Sequence, residues 1–70
     1  MEDLVECRSE SNYPEKPVAL NWEGARHEVD TILSQWRDPH GLHFRVRTTD
    51  GLVFELDYIS AAEAWQIKPI

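Results

Sequence analysis

Three histidines and one cysteine are the residues that could form a metal site. His40 and His43 have an H-x-x-H spacing, and Cys7 is the single thiol of the chain. A structural zinc site needs four ligands, usually supplied as two close pairs, and the sequence contains only one pair. We therefore expect no metal site and no cofactor, and we interpret the two histidines as surface residues around a Pro-His-Gly turn. A metal-stabilised domain would require Cys7 to approach both of them.

Nucleophilic and acid–base chemistry have equally little support. Cys7 lies among acidic residues, which discourage thiolate formation. The serines lie in no nucleophile elbow and no S-x-x-K setting. Glu55 and Asp57 would lie about 7 Å apart on one strand face, but cross-strand partners for both are available in Arg45 and His43. The sequence therefore predicts a protein without catalytic residues.

Three tryptophans in seventy residues are the enriched feature of the composition. Small domains often fill their cores with large aromatic side chains, and this explains most of the tryptophan content. A partly exposed tryptophan can instead anchor a partner, because tryptophan and arginine are favoured in interface hot spots. The candidate binding residues are Trp36, Arg37, Arg45 and Arg47.

These arginines, together with Arg26, could form the one basic stripe of the surface. The alternative is that they pair across strands with acidic residues, as Arg45 would with Glu55. The net charge of −6 acts against autonomous nucleic-acid binding, because such domains are usually basic. A single cysteine is typical of a reducing compartment, and the acidic N-terminus does not resemble a signal peptide. We expect a cytoplasmic protein, and no apolar run is long enough to span a membrane.

The first predicted hairpin joins strands at residues 18–22 and 25–29 through a two-residue Glu23-Gly24 loop. The alternation of residues along both strands is consistent with this loop, because apolar and polar residues then lie on different faces of the sheet. One face carries Trp22, Leu20 and Val18 opposite Ala25, His27 and Val29. The other carries Asn21 opposite Arg26 and Ala19 opposite Glu28. After Val29 the alternation breaks, which indicates a bulge or bend near Asp30-Thr31 or a short helical turn.

The second predicted hairpin joins residues 42–48 and 52–58. A two-residue Asp50-Gly51 turn would place arginines on the apolar face, since a one-residue slip inverts every side chain. A three-residue loop of Thr49, Asp50 and Gly51 corrects this, with Gly51 supplying the left-handed conformation. The register then pairs Thr48 with Leu52, Val46 with Phe54, Phe44 with Leu56 and Leu42 with Tyr58 on one face, and Arg45 with Glu55 and His43 with Asp57 on the other.

The remaining segments complete a small antiparallel sheet. Residues 64–68 form a last strand that ends at Pro69, which suits a sheet edge, and residues 59–63 lead into it as a helical turn or a loop. Residues 9–17 have the composition of a connection. Residues 1–12 contain either a short first strand or a flexible tail. Together these features predict a single all-β domain over residues 1–70, an SH3-like barrel of five to six short strands.

Several of these motifs also resemble a known bacterial family. They are the Trp-x-Gly hairpin at 22–24, the Trp36-Arg37 pair, the Phe-Arg-Val-Arg strand at 44–47 and the closing Trp65. The chain is similar over residues 13–68 to a small domain of unknown function. Members stand alone or lie at the C-terminal end of inactive Y-family-polymerase-like proteins of a mutagenic repair pathway. The resemblance implies a small β domain in a DNA-repair context and assigns no site residues.

The sequence thus predicts a non-enzymatic interaction module. A protein partner would dock at an exposed edge strand or at the Trp36/Arg45/Arg47 face, and self-association through an edge is a further possibility. The alternative is an accessory nucleic-acid-binding domain that stacks and pairs through its tryptophan and arginines. The two hypotheses differ in whether Arg45 and Arg47 are free or neutralised by Glu55 and its neighbours.

Overall fold

The computed structural model of the chain describes residues 4–8 and 16–70, and these form six antiparallel strands in one meander. Each strand pairs with its neighbours in the sequence, so the strand order in the sheet is the chain order. The sheet curls into a half-barrel, which confirms the all-β class and the small SH3-like architecture. The strands are β1 (Val5–Arg8), β2 (Lys16–Trp22), β3 (Ala25–Asp38), β4 (Gly41–Thr48), β5 (Val53–Ile59) and β6 (Ala64–Pro69).

The structure tests the predictions for the N-terminal segment only in part. The short first strand exists as β1, and residues 16 and 17, assigned to a connection, already belong to β2. The rest of that connection, and the remainder of the predicted tail, lie outside the described residues. Within the described part of the chain, no helix is long and apolar enough to cross a membrane.

The core lies on the concave face of the sheet. Alternation along β4 and β5 buries Phe44, Val46, Phe54 and Leu56 almost completely. Leu20 joins them from β2. Trp22 and Trp65 are half-buried and pack against this cluster, as the core interpretation of the tryptophans predicted.

Both predicted hairpins are confirmed in loop and register, with the exception of one pair of the first, Val18 with Val29. In the first, Trp22 pairs with Ala25 and Leu20 with His27. Its Glu23-Gly24 loop has positive φ at both residues, 51° and 79°, the signature of a type I′ turn. In the second, every predicted pair from Leu42–Tyr58 to Val46–Phe54 is present, and the Thr48 N–H bonds to the Leu52 carbonyl across the three-residue loop.

Strand irregularities account for the positions at which alternation fails. The expected Val18–Val29 pair is wrong, because Val18 is the extra residue at a bulge opposite Glu6 and Cys7, and it is 42% exposed. Two further irregularities in β3, at Asp30 and at Leu33, confirm the predicted break. The strand continues through both of them to Asp38, so the helical alternative is wrong.

Candidate protein interface

The convex face of the half-barrel carries a tryptophan stacked on a histidine. Trp36 and His43 are register partners on β3 and β4. Their ring centroids lie 5.4 Å apart with planes 11° from parallel. Trp36 covers the imidazole and is itself 38% exposed. A protonated imidazole in this position gains a cation–π contact with the indole ring.

His43 lies between two carboxylates that approach opposite sides of its ring. Its Nδ1 donates to Asp57 Oδ1 at 2.5 Å. The interpretation of His43 as a surface residue is wrong, because His43 is 9% exposed and Asp57 is 2% exposed. Asp38 Oδ2 lies 2.9 Å from Nε2 as a charge pair that is not aligned with the N–H bond. Because the carboxylates contact different nitrogens, they do not converge on a common point where an ion could bind. Among the described residues, no group of three or more histidine, cysteine or acidic side chains is arranged to hold a metal.

A tight turn holds Asp38 in this position. Asp38 Oδ1 accepts hydrogen bonds from the backbone N–H groups of His40 at 2.8 Å and Gly41 at 3.2 Å. Gly41 lies so close to Tyr58 of β5 that an added Cβ would overlap the Tyr58 carbonyl oxygen, and its φ is +156°. The turn therefore requires glycine at this position.

The paired charges shift the ionisation of both partners. The hydrogen bond to Asp57, followed by the close contact of Nε2 with Asp38, raises the pKa of His43 above its ordinary value. The contact with His43 lowers the pKa of Asp38, and the hydrogen bonds from the His40 and Gly41 backbone contribute to this. The imidazolium form is therefore favoured. His43 Nε2 is shielded from solvent and faces the Asp38 carboxylate, so the imidazolium is held between two carboxylates.

The ion-pair network continues across β5 to the edge strand. Lys68 Nζ of β6 lies 3.3 Å from Asp57 Oδ2 and 3.9 Å from Glu55 Oε2. Glu55 also pairs with Arg45, whose Nη2 lies 3.5 Å from Oε1. We name Asp38, His43, Asp57 and Lys68 the His43 cluster.

The structure brings together three of the four predicted binding residues. Trp36, Arg45 and Arg47 share the convex face with the His43 cluster. Arg37 does not, because it pairs with Leu42 and therefore lies on the opposite face from Trp36. Grouping Arg37 with the other three on one face was therefore wrong, since adjacent residues of a regular strand point to opposite sides.

The arginines of the convex face are paired with acidic groups. Arg45 contacts Glu55, and Arg47 Nη2 lies 3.5 Å from Asp30 Oδ2. Arg26 lies further along the sheet, where it contacts Glu6 at 2.7 Å and Glu28 at 3.2 Å. These three residues, Glu6, Arg26 and Glu28, are named the Arg26 cluster. The predicted basic stripe is therefore interrupted by carboxylates.

A second candidate surface lies where the half-barrel is open. A groove of about 520 Å³ runs beside β6, and consecutive residues of that strand, 65–68, line it. Successive residues point to alternate faces, so a groove lined by four in a row follows the edge of the strand. Its opposite wall is formed by Leu4 and by residues 21–23 at the end of β2. We name this surface the seam groove.

The lining of the seam groove is mainly apolar. Trp65 and Ile67 contribute from β6, and Trp22 and Leu4 from the opposite wall. In the described part of the chain, β6 pairs only with β5, so its outer edge has no strand partner. The groove therefore combines an unpaired strand edge with aromatic and aliphatic side chains.

Sequence reasoning located one part of these surfaces and missed another. The His43–Asp57 pair followed from the predicted register, whereas Asp38 and Lys68 were not assigned to it. The Asp-Pro-His-Gly segment was a usable signal, because an aspartate at the start of a turn often bonds the backbone two residues on. The seam groove left no local signal, since it depends on how far the sheet curls.

No family model, curated protein or solved structure matches this chain. The likeness to the bacterial repair-associated domain therefore stays a prediction.

Proposed function

We propose that this protein is a non-enzymatic interaction module that binds an extended protein segment along the seam groove. The observation that carries the proposal is the coincidence of an unpaired strand edge with an apolar groove along that same edge. Addition of a strand to an exposed sheet edge is a recurrent mode of peptide recognition. Main-chain hydrogen bonds supply affinity in this mode, and side-chain pockets supply specificity.

The alternative, an accessory nucleic-acid-binding domain, has less support from the surface charges. Arg45 and Arg47 each contact a carboxylate, and the chain carries a net charge of −6. Phosphate binding would require both arginines to exchange these partners against an unfavourable overall field. Trp36 offers a stacking surface on the convex face, but one side of its ring already covers His43.

The proposal is tested by selecting peptides from a random seven-residue phage library on the intact protein. The binding site of each selected peptide is then mapped by amide NMR. We expect selected peptides to shift the amide resonances of Trp65 and Ile67. A library that yields no binder, or binders whose shifts centre on Trp36 and Arg45, would overturn the proposal.

A matched pair of variants identifies the surface used. Ile67→Pro alters the open edge of β6, where proline is tolerated in sheets, and should weaken the selected peptides at least about tenfold. Trp36→Phe alters the convex face and should leave their affinity unchanged. Thermal unfolding of both variants confirms that each is folded before binding is measured.

A further inference from the structure

The backbone of β6 limits how a segment can pair with its edge. The Ile70 N–H donates to the Val53 carbonyl at 3.0 Å. Along an antiparallel strand, residues alternate between directing their backbone N–H and C=O groups at one neighbouring strand and at the other. Lys68 and Gln66 therefore direct their backbone groups at β5, as Ile70 does. Trp65 and Ile67 then direct theirs at the open edge, where Pro69, the next outward position, has no N–H. An incoming strand can therefore form full hydrogen-bonded pairs opposite Ile67 and Trp65.

The same alternation fixes which side chains of the segment enter the groove. Residues opposite Ile67 and Trp65 place their side chains on the concave face, beside the apolar residues that line the groove. The residue between them lies opposite Gln66 on the convex face, which is solvated. The segment therefore needs apolar residues at two alternate positions.

One carboxylate makes the two ends of the groove differ in charge. Glu23 lines it and contacts no basic side chain among the described residues, whereas Lys68 is already paired with Asp57. The Trp22 ring contacts Phe54 at 6.0 Å, and Phe54 pairs with Pro69. Glu23 therefore lies toward the Pro69 end of β6. Its φ of 51° is unfavourable for a residue with a side chain, so local turn preference does not account for glutamate here.

From these observations we infer that the partner of the seam groove is a basic-apolar segment of the pattern Lys/Arg-x-Φ-x-Φ, where Φ is apolar, bound antiparallel to β6. The inference rests on the proposed function and specifies its ligand. In the antiparallel direction the N-terminal end of the segment lies at Pro69, so the basic residue faces Glu23. The net charge of −6 favours the approach of such a segment and opposes pairing with a second copy of this chain.

The test uses three synthetic peptides with the intact protein, and the indole resonances of Trp22 and Trp65 report binding. The first is acetyl-Gly-Lys-Thr-Val-Thr-Val-Gly-amide, the second replaces its Lys with Glu, and the third reverses the first sequence. We expect the Lys peptide to bind about tenfold tighter than the Glu peptide, the effect of exchanging an exposed ion pair for a repulsion. The reversed peptide should bind more weakly than the first.

Two protein variants provide the matched control. Glu23→Lys and Glu63→Lys make the same charge change at residues that both have positive φ, but only Glu23 lines the groove. Glu23→Lys should reverse the preference so that the Glu peptide binds better, and Glu63→Lys should leave the preference as in the wild type.

The outcomes separate the inference from the proposed function. Equal binding of the Lys and Glu peptides, with shifts still confined to the groove, would overturn the basic-apolar pattern and leave strand addition in place. Binding by none of the peptides, together with an empty library selection, would overturn both. Shifts along β6 that depend only on protein concentration would assign the edge to a second copy and also overturn the inference.

Discussion

The convex face of this protein carries two ion-pair clusters of similar composition and very different burial. The His43 cluster centres on Asp57, which is 2% exposed, whereas the side chain of Arg26 in the Arg26 cluster is 49% exposed. Both clusters place a cation between two carboxylates. Breaking a buried pair leaves an uncompensated charge without water, whereas an exposed charge is solvated again at once. The same pairing chemistry should therefore stabilise the fold at one site and contribute little at the other.

The two clusters also differ in what fixes their geometry. Asp38 and Asp57 are held by a hydrogen-bonded turn and by the strand ladder, and Trp36 covers the ring between them. Ala19 pairs with Glu6 on one side and with Glu28 on the other, and it is fully buried. Arg26 contacts both of these carboxylates, so its long side chain passes over Ala19. The aliphatic part of Arg26 can shield such a small residue in many conformations. The Arg26 cluster therefore depends less on any single contact.

The largest loss of stability is expected when the turn that holds Asp38 is removed. Gly41→Ala would drive a Cβ into the Tyr58 carbonyl oxygen and disturb the β4–β5 pairing. We expect a loss of about 4 kcal/mol or more in the free energy of unfolding, measured by urea titration. Gly24→Ala is the control, because it shares a positive φ but meets no atom within 4 Å. It should cost about 1 kcal/mol. Equal losses for the two variants would show that the Gly41 contact relaxes easily.

The next largest effect should come from the buried carboxylate. Asp57→Asn keeps the shape of the side chain but leaves His43 and Lys68 without their shared anion. We expect a loss of about 3 kcal/mol in the free energy of unfolding, measured by urea titration at pH 6.

A double-mutant cycle then isolates the pair. Asp57→Asn combined with His43→Gln should destabilise the protein by clearly less than the sum of the two single losses, because removing both charges leaves neither unpaired. Strict additivity would contradict the assignment of His43 and Asp57 as a coupled pair.

The two clusters should also differ in how their contribution to stability depends on pH. The pKa of His43 is raised in the folded state, so its stabilisation is fully present below about pH 6.5, the ordinary histidine value. It is lost progressively as the pH rises from there through the raised folded-state pKa. The pKa of Asp38 is lowered, so its contribution is present above the ordinary aspartate range and is lost as the pH falls through the lowered value.

We therefore expect the difference in melting temperature between the wild type and His43→Gln to be largest near pH 5.5. The difference should shrink by several degrees toward pH 9. Comparing the two proteins at each pH cancels the contributions of the titrating groups that do not contact His43. A difference that stays constant across this range would show that His43 does not change charge within it.

Much of this architecture could be predicted from the alternation of apolar and polar residues in the sequence. Alternation in residues 42–48 and 52–58, with Gly51 in the loop, fixed the β4–β5 register and with it the His43–Asp57 pair. The β2–β3 turn followed in the same way from Glu23-Gly24. Such local patterns are strong because a slip by one residue would expose every core side chain.

The bulge at Val18, the second irregularity in β3 and the curvature of the sheet could not be predicted. Val18 and Leu33 are apolar yet exposed, since bulges shift them out of the pattern. Arg37 looked like a neighbour of Trp36 in sequence, but the strand places it on the other face. The seam groove joins residues near 4 and 22 to residues 65–68, and no local pattern encodes that proximity. The proposed binding surface is therefore a product of the curvature of the sheet, which the alternation of residues in the sequence does not predict.

The smallest expected effect tests the exposed side of the comparison. Arg26→Ala removes both ion pairs of the Arg26 cluster, which raise the pKa of Arg26 and lower that of Glu6. We expect the melting temperature to fall by less than about 2 °C, because solvent and salt screen such pairs. Arg26→Met retains the aliphatic cover over Ala19 and should be closer still to the wild type, and 0.5 M NaCl should affect neither variant strongly. A fall in melting temperature as large as that measured for Asp57→Asn would mean that burial does not determine how strongly an ion-pair cluster stabilises this fold.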